Sequence, residues 1–349
     1  MSVKSPEIVE AVLRSPSLYR GEVRVSETKT SGFANLRSGR QVKDLLLPVL
    51  YWFLKEAPTA LAVAPFRLIA GIARLFYWLP GNPLRQACSE ICVIAARHGH
   101  HHEPKIVYRQ FLRNIVGAGE NYHLLLHGGP AAVLDRIIFR PDDQRKADEA
   151  LESYGGAIIA CPHNPGSAFS AVKNNRNMPL IAVMKNSATI RRTRLALEVF
   201  ERMEVRFMMV RSGNPFELSR AMFAALKDHN VIAATVDNVD TSGGGVIARI
   251  FGQEIAFAPW AAKIAAKKKV PMIPTFYHSR GHVIDVAWGE PLVTDDLQRS
   301  LQHYVSFFEA KILEDPASWA YLADRKWRRI ISLAARTDPG ADNQSSNSI

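Results

Sequence analysis

Cysteine is scarce in this chain: three in 349 residues, at Cys88, Cys92 and Cys161. An odd count at irregular spacing argues against a disulfide framework and for a reducing compartment. Cys88 and Cys92 lie four apart on an expected helix, with nothing nearby to complete a ligand set, so they read as small apolar residues. Long apolar runs are missing too. A spanning helix needs roughly 20 apolar residues in a row, and the runs here are interrupted sooner. The N-terminal MSVKSPEIVEAVLRS lacks the continuous apolar stretch of a secretory signal. No zinc-finger spacing and no RNP-like aromatic strand is readable, so nucleic acid is not an expected partner. Acid is in short supply as well: 33 Asp and Glu stand against 44 Lys and Arg, a formal charge of +11. With nucleic acid set aside, that excess points to an anionic membrane surface.

What is present describes a globular protein with a sizeable core: 47% hydrophobic and 22% charged residues. Four segments are expected. Residues 1–40 mix charge and small polar residues without a period. Residues 41–95 carry the most apolar stretch, residues 96–335 form an α/β domain, and 336–349 (ending TDPGADNQSSNSI) is a disordered tail. Between Leu45 and Leu84 the apolar runs are about ten residues or fewer, cut by Lys55, Glu56, Arg67 and Arg74. Aromatic residues cluster at Tyr51, Trp52, Phe53 and again at Phe76, Tyr77, Trp78. This pattern suits membrane-associating helices lying among headgroups; the alternative is a pair of buried core helices. His98, His100, His101 and His102 face different directions and find no spaced carboxylate or cysteine, so they read as an exposed loop rather than a metal site.

From Gly155 the rhythm becomes short β runs alternating with amphipathic helices. GAIIACPH, MPLIAVMKN, VRFMMVR and VIAATVDN read as strands, with helices over ATIRRTRLALEVFERM and PFELSRAMFAALKDHN. A glycine loop at 241–245, a hairpin over VIARIFGQEIAFAP, a helix over WAAKIAAKKK, two further strands and a closing helix follow. The expectation is a mixed, mostly parallel sheet covered by helices. Sites in such sheets lie at the carboxyl ends of strands, and three strands end in polar residues that can meet there: His163, Arg211 and Asp237.

The order of those pieces resembles the lysophospholipid acyltransferase superfamily, in particular its lipid A late acyltransferase branch. GGAIIACPHNPGSA resembles the branch's strand-then-His block. VRSGNPFELSRAMFAALKDHNVIAATVDN resembles its Arg strand, helix and Asp-ended strand. GGGVIARIFGQEIAFAPWAAKIAAKKKVPMIPTF and the closing EDPASWAYLADRKW complete the likeness, with Pro316, Trp319, Arg325 and Trp327 in register. Two positions depart from it. The family's acid, five residues after the His, is replaced by Ala168, and Tyr321 stands where a second Trp is usual.

The resemblance implies a glycerol-phosphate acyltransferase-like fold and transfer of a fatty acyl chain to a hydroxyl of a lipid or lipid A-like glycolipid. The donor would be acyl carrier protein or acyl-CoA, with no metal or organic cofactor. The place would be the cytoplasmic face of a bacterial inner membrane, with the protein peripheral or monotopic. His163 would be the general base. Arg211 and the backbone around Gly166 would stabilise the oxyanion, or Arg211 would hold a lipid phosphate. With Ala168 unable to orient the imidazole, Asp237 or Asp240 is expected to substitute, and Ser167 or Asn164 could do so more weakly by hydrogen bonding. Cys161, two residues before His163 on the same strand face, is a weaker candidate partner. The alternative is a non-catalytic lipid-binding relative that has lost the acid. Arg191, Arg192 and Arg194 on one helix, and Lys267, Lys268 and Lys269, read as solvated faces first and headgroup contacts second.

Overall fold

The computed structural model describes residues 39–184, 190–209 and 215–337. Four helices come first: α1 (Gly39–Glu56), α2 (Thr59–Leu75), α3 (Pro83–Arg97) and α4 (Pro104–Gly128). Asn82 starts α3 sharply. Its side chain accepts from the N–H groups of Leu84 and Arg85 at 3.0 and 3.1 Å, and Pro83 occupies the first turn, where no N–H is needed.

The rest alternates as expected: β1 (Ile137–Phe139), α5 (Pro141–Tyr154), β2 (Ala157–Cys161), α6 (Ser167–Asn177), β3 (Leu180–Met184), α7 (Ile190–Arg202), β4 (Arg206–Met209), α8 (Pro215–Lys227) and β5 (Val231–Thr235). The hairpin β6 (Val246–Ile250) and β7 (Gln253–Phe257) precedes α9 (Trp260–Lys268), β8 (Met272–Arg280), β9 (Val283–Trp288), α10 (Leu297–Glu314) and α11 (Arg325–Arg336). Seven strands form one sheet in the order β1-β9-β8-β2-β5-β3-β4, and β6-β7 stand apart as a pair. All pairings in the large sheet are parallel except β8 with β9. The fold is therefore the mixed, mostly parallel α/β architecture.

Both faces of the sheet are covered, which is why β2 is apolar without interruption and buried at every position. Alternate residues enter two cores. Ile158 and Ala160 join Ile232, Phe276, Trp319 and Trp327 under α3, α8, α9 and α10. Ala157, Ile159 and Cys161 join Phe169, Phe207 and Tyr277 under α5, α6 and α7. Each large aliphatic or aromatic side chain in these layers contributes on the order of 1.5–3 kcal/mol.

A glycine docks α4 onto the sheet. A Cβ on Gly117 would sit 2.0 Å from the backbone of Gly281 in the β8–β9 turn, so only glycine permits the approach. One turn away Asn114 accepts from Gly281 N at 2.9 Å and donates to Ala317 O at 3.0 Å. That pair of bonds anchors the short 3-10 turn Pro316–Ser318, which leads into the site.

Helices α1 and α2 are not buried core helices. Leu46, Val49 and Trp52 on α1, and Leu61, Leu68, Ile69, Ile72 and Leu75 on α2, are exposed, and Phe76, Trp78 and Leu79 continue the same apolar surface. Arg67, itself exposed, pairs with Glu120 on α4 at 2.9 Å, so a neutralised charge sits on this apolar surface. Thr59–Trp78, 20 residues of mean hydropathy 1.5, is long and apolar enough to cross a bilayer by length and composition. The ten-residue runs read from the sequence understate that segment.

Candidate active site

Parallel pairing builds the site. β2 and β5 are neighbours, and Cys161 is level with Thr235. Two residues beyond each partner, the chains present His163 and Asp237 to one another across the carboxyl edge of the sheet. The imidazole Nδ1 lies 2.5 Å from Asp237 Oδ1, and His163 N–H donates to Oδ2 at 2.9 Å. The carboxylate thus holds both the ring and the backbone of the same histidine.

Asp237 is only 3% exposed, and an unpartnered carboxylate there would be costly. It is well supplied with donors. Besides the two from His163, Trp319 Nε1 donates to Oδ2 at 3.1 Å, while Trp327 Nε1 donates to the Asp237 backbone carbonyl at 3.1 Å. The two tryptophans of the closing motif therefore serve as N–H donors clamping Asp237 from the core side, with their rings packed edge to face at 4.9 Å. The sequence puts these tryptophans in register with a motif but shows no contact for them.

The solvent side of His163 is occupied differently. Its side chain is 32% exposed. Tyr321 stacks on the imidazole, with ring centroids 4.1 Å apart and planes inclined by 19°. The Tyr321 hydroxyl lies 3.1 Å from Nε2 and donates to Asn238 Oδ1 at 2.8 Å. Burial, then the charge of Asp237, then that of Asp324, push the Tyr321 phenol well above its ordinary range, so it stays protonated. Tyr321, in the sequence only a departure from a motif, covers one face of the His163 ring. Its turn is tied there by Ala320 N–H donating to His163 O at 2.8 Å.

The other candidates fall elsewhere. Asn164 is buried and donates to Ser318 O at 2.5 Å, and Ser167 Oγ donates to Asn164 O at 3.0 Å; neither bonds the imidazole, so the expectation that they orient it is corrected. Asn164 instead fastens the turn after His163 to the Pro316–Ser318 turn, and Ser167 closes that first turn on itself. Asp240 accepts from Ser242 N at 2.8 Å and Ser242 Oγ at 3.0 Å, and so shapes the glycine loop rather than facing His163. Gly166 precedes α6 in a tight place, where a Cβ would meet Ile284 at 2.8 Å. Cys161 donates to Ala234 O at 3.3 Å rather than to His163, and burial and the Asp237 charge push its thiol up to about 12. Such a thiol is a poor nucleophile. Ala168, on α6, lines a cavity of about 130 Å³ with Cys161, Ala171, Ala182, Phe200 and Tyr277. Arg211, and the side chains of Arg191, Arg192 and Arg194, lie outside the described residues.

Among the described residues no three His, Cys, Asp or Glu side chains converge to hold a metal. His102 in the histidine-rich loop bonds Leu313 O at 2.8 Å. What the assembled groups offer is a partly exposed histidine with one nitrogen fixed by a buried carboxylate and the other beside the Tyr321 hydroxyl at the carboxyl edge of the sheet. That is the arrangement of a general base.

The match to known families agrees with this geometry. The model of the bacterial lipid A biosynthesis acyltransferases matches residues 140–329, more than half of the chain. The chain belongs to that family. Comparison with curated proteins finds no match. Family membership makes the protein an acyltransferase acting on lipid A-like substrates, with a lipid acceptor and an acyl donor. The matched span runs from α5 to the middle of α11 and so contains every residue of the His163 constellation.

Proposed function

We propose that this acyltransferase moves a fatty acyl chain from acyl carrier protein or acyl-CoA onto a hydroxyl of a lipid A-like glycolipid, with His163 as general base and Asp237 in place of the missing acid at position 168. The observation that carries this is the 2.5 Å contact between His163 Nδ1 and the buried Asp237 carboxylate. Asp237 accepts Nδ1–H, which leaves the Nε2 lone pair to take the proton of the acceptor hydroxyl. The hydroxyl oxygen attacks the thioester carbonyl. The tetrahedral oxyanion collapses, the C–S bond breaks, and the departing thiolate takes the proton back from the imidazolium. Asp237 holds the tautomer before the proton moves and balances the imidazolium afterwards. Arg211 and the backbone around Gly166 remain the proposed oxyanion stabilisers.

We place the reaction at the cytoplasmic face of the inner membrane. The exposed apolar surface of α1 and α2 supports this. Beside it two adjoining cavities of about 380 and 460 Å³ share Arg113; the first holds Arg280 together with Glu314 and Asp315, and the second holds Arg74 and Arg109. The cations of the second, next to an apolar surface, suit the phosphate of a lipid headgroup.

The test is mass spectrometry of lipids from cells lacking the protein, complemented with wild type or with His163→Ala. An acylated lipid that returns with wild type and stays absent with the variant supports the reading. Equal recovery with both would remove His163 from the chemistry and favour the lipid-binding alternative.

A further inference from the structure

We infer that Tyr321 is a positioning residue for His163 that stabilises the imidazolium formed as the base takes its proton. The inference rests on the reading of His163 as base and goes beyond it in naming the group that covers the ring. The stacking angle decides the role. Planes inclined by only 19° with centroids at 4.1 Å place the phenol over the face of the imidazole. The Nε2 lone pair points outward in the ring plane. Tyr321 Oη, 3.1 Å from Nε2 and above the face, therefore leaves the direction of proton transfer open to an acceptor hydroxyl.

Three properties of this placement favour the charged ring over the neutral one. The π face of Tyr321 lies against the imidazole, and an aromatic face attracts a cation. The Tyr321 proton is committed to Asn238 Oδ1 at 2.8 Å, so the oxygen turns lone pairs toward His163. The phenol is held protonated by burial and by the Asp237 and Asp324 charges, so it neither competes for the acyl group as a phenolate nor takes the proton itself. The other titratable groups nearby are the Asp237 carboxylate at the Nδ1 edge, and Cys161 and Tyr304 around that carboxylate. Burial and the Asp237 charge raise both of the latter, so both stay neutral. Asp237 and Tyr321 are then the two groups that hold the ring, one by its edge and one by its face.

The experiment uses the full chain with a lipid acceptor and acyl carrier protein thioester, comparing Tyr321→Leu, Tyr321→Phe and Tyr321→Trp with His163→Ala. Tyr321→Leu removes face and oxygen, and kcat should fall roughly 3- to 30-fold with KM within about twofold. The acid limb of the pH–rate profile should move to lower pH, because a base that has lost stabilisation of its cation protonates less readily. Tyr321→Phe keeps the face and loses the oxygen, and should show a smaller shift in the same direction. Tyr321→Trp restores the residue usual in the resembling branch and should recover most of the rate. An acid limb that does not move in Tyr321→Leu, with activity falling only in proportion to folded protein, would overturn the inference. If Tyr321→Leu does not fold, Tyr321→Phe decides by the same limb. Activity retained in His163→Ala would instead overturn the base assignment itself, an outcome the tyrosine variants alone cannot produce.

Discussion

Among the described residues two histidine–aspartate pairs stand out, and they differ in a way that defines the site. His163 Nδ1 lies 2.5 Å from Asp237, and His278 Nδ1 lies 3.1 Å from Asp315. In the first pair the carboxylate is buried, 4% exposed, and the histidine side chain is 32% exposed. In the second the order is reversed: the aspartate is 25% exposed and the histidine 6%. His278 Nε2 is buried and has no hydrogen-bond partner among the described residues. A general base must present its free nitrogen to a substrate while its fixed nitrogen is held in a dry place. Only the His163 pair does both. The His278 pair ties strand to turn: Asp315 also accepts from Ser318 Oγ at 2.6 Å, and Ser318 Oγ accepts from Ser279 N at 2.7 Å.

The sharpest way to break this comparison is to remove each histidine. His163→Ala should abolish acyl transfer in a purified assay while costing less than about 2 kcal/mol of stability, since Asp237 keeps two of its donors, His163 N and Trp319 Nε1. Asp237→Asn should lower kcat by roughly 10³–10⁴-fold with the protein folded, because an amide can bond Nδ1 as donor and fix the wrong tautomer. A loss under tenfold would show that something other than Asp237 orients the ring. His278→Ala should act on the other axis. Chemical denaturation should show about 1–3 kcal/mol of lost stability, with turnover per folded molecule within a few-fold of wild type. A dead but stable His278→Ala would erase the distinction between the pairs.

Much of this architecture is legible in the amino-acid sequence, for identifiable reasons. β2 and β5 stand out as apolar runs ending in His163 and Asp237. Those residues meet because β5 returns, after β3 and β4, to lie between β2 and β3. Strand order of that kind is set by tertiary packing, and no local pattern encodes it. β1 gives too little signal because it is three residues long. α11 is hidden under its basic residues, although Asp324 caps it by accepting from Lys326 N and Trp327 N at 2.8 and 3.1 Å. Its buried Trp327, Ile331 and Ala334 keep helical spacing. Tyr321 looks like a flaw in a motif because its significance lies wholly in where the Pro316–Ala323 turns carry it.

The smallest expected effect concerns two residues close to His163 in sequence whose side chains belong to the other side of the sheet. Ala168 and Cys161 line the same cavity of about 130 Å³, walled by Ala171, Ala182, Phe200 and Tyr277. Restoring the family acid with Ala168→Glu would therefore place a carboxylate in a mostly apolar cavity, with Ser170 and Asn174 among its polar lining, while Nδ1 of His163 is already taken by Asp237. No gain in turnover is expected, and stability should fall by a few kcal/mol unless the new group protonates. Cys161→Ala should do still less to the chemistry. Its thiol, raised to about 12, is neutral at physiological pH and spends its proton on Ala234 O. Turnover should stay within about twofold, and iodoacetamide at pH 8 should leave the native enzyme active, because alkylation requires an accessible thiolate. Inactivation by the reagent in wild type, and its absence in Cys161→Ala, would bring the thiol into reach of the reaction. The strict separation of His163 from the layer beneath it would then fail.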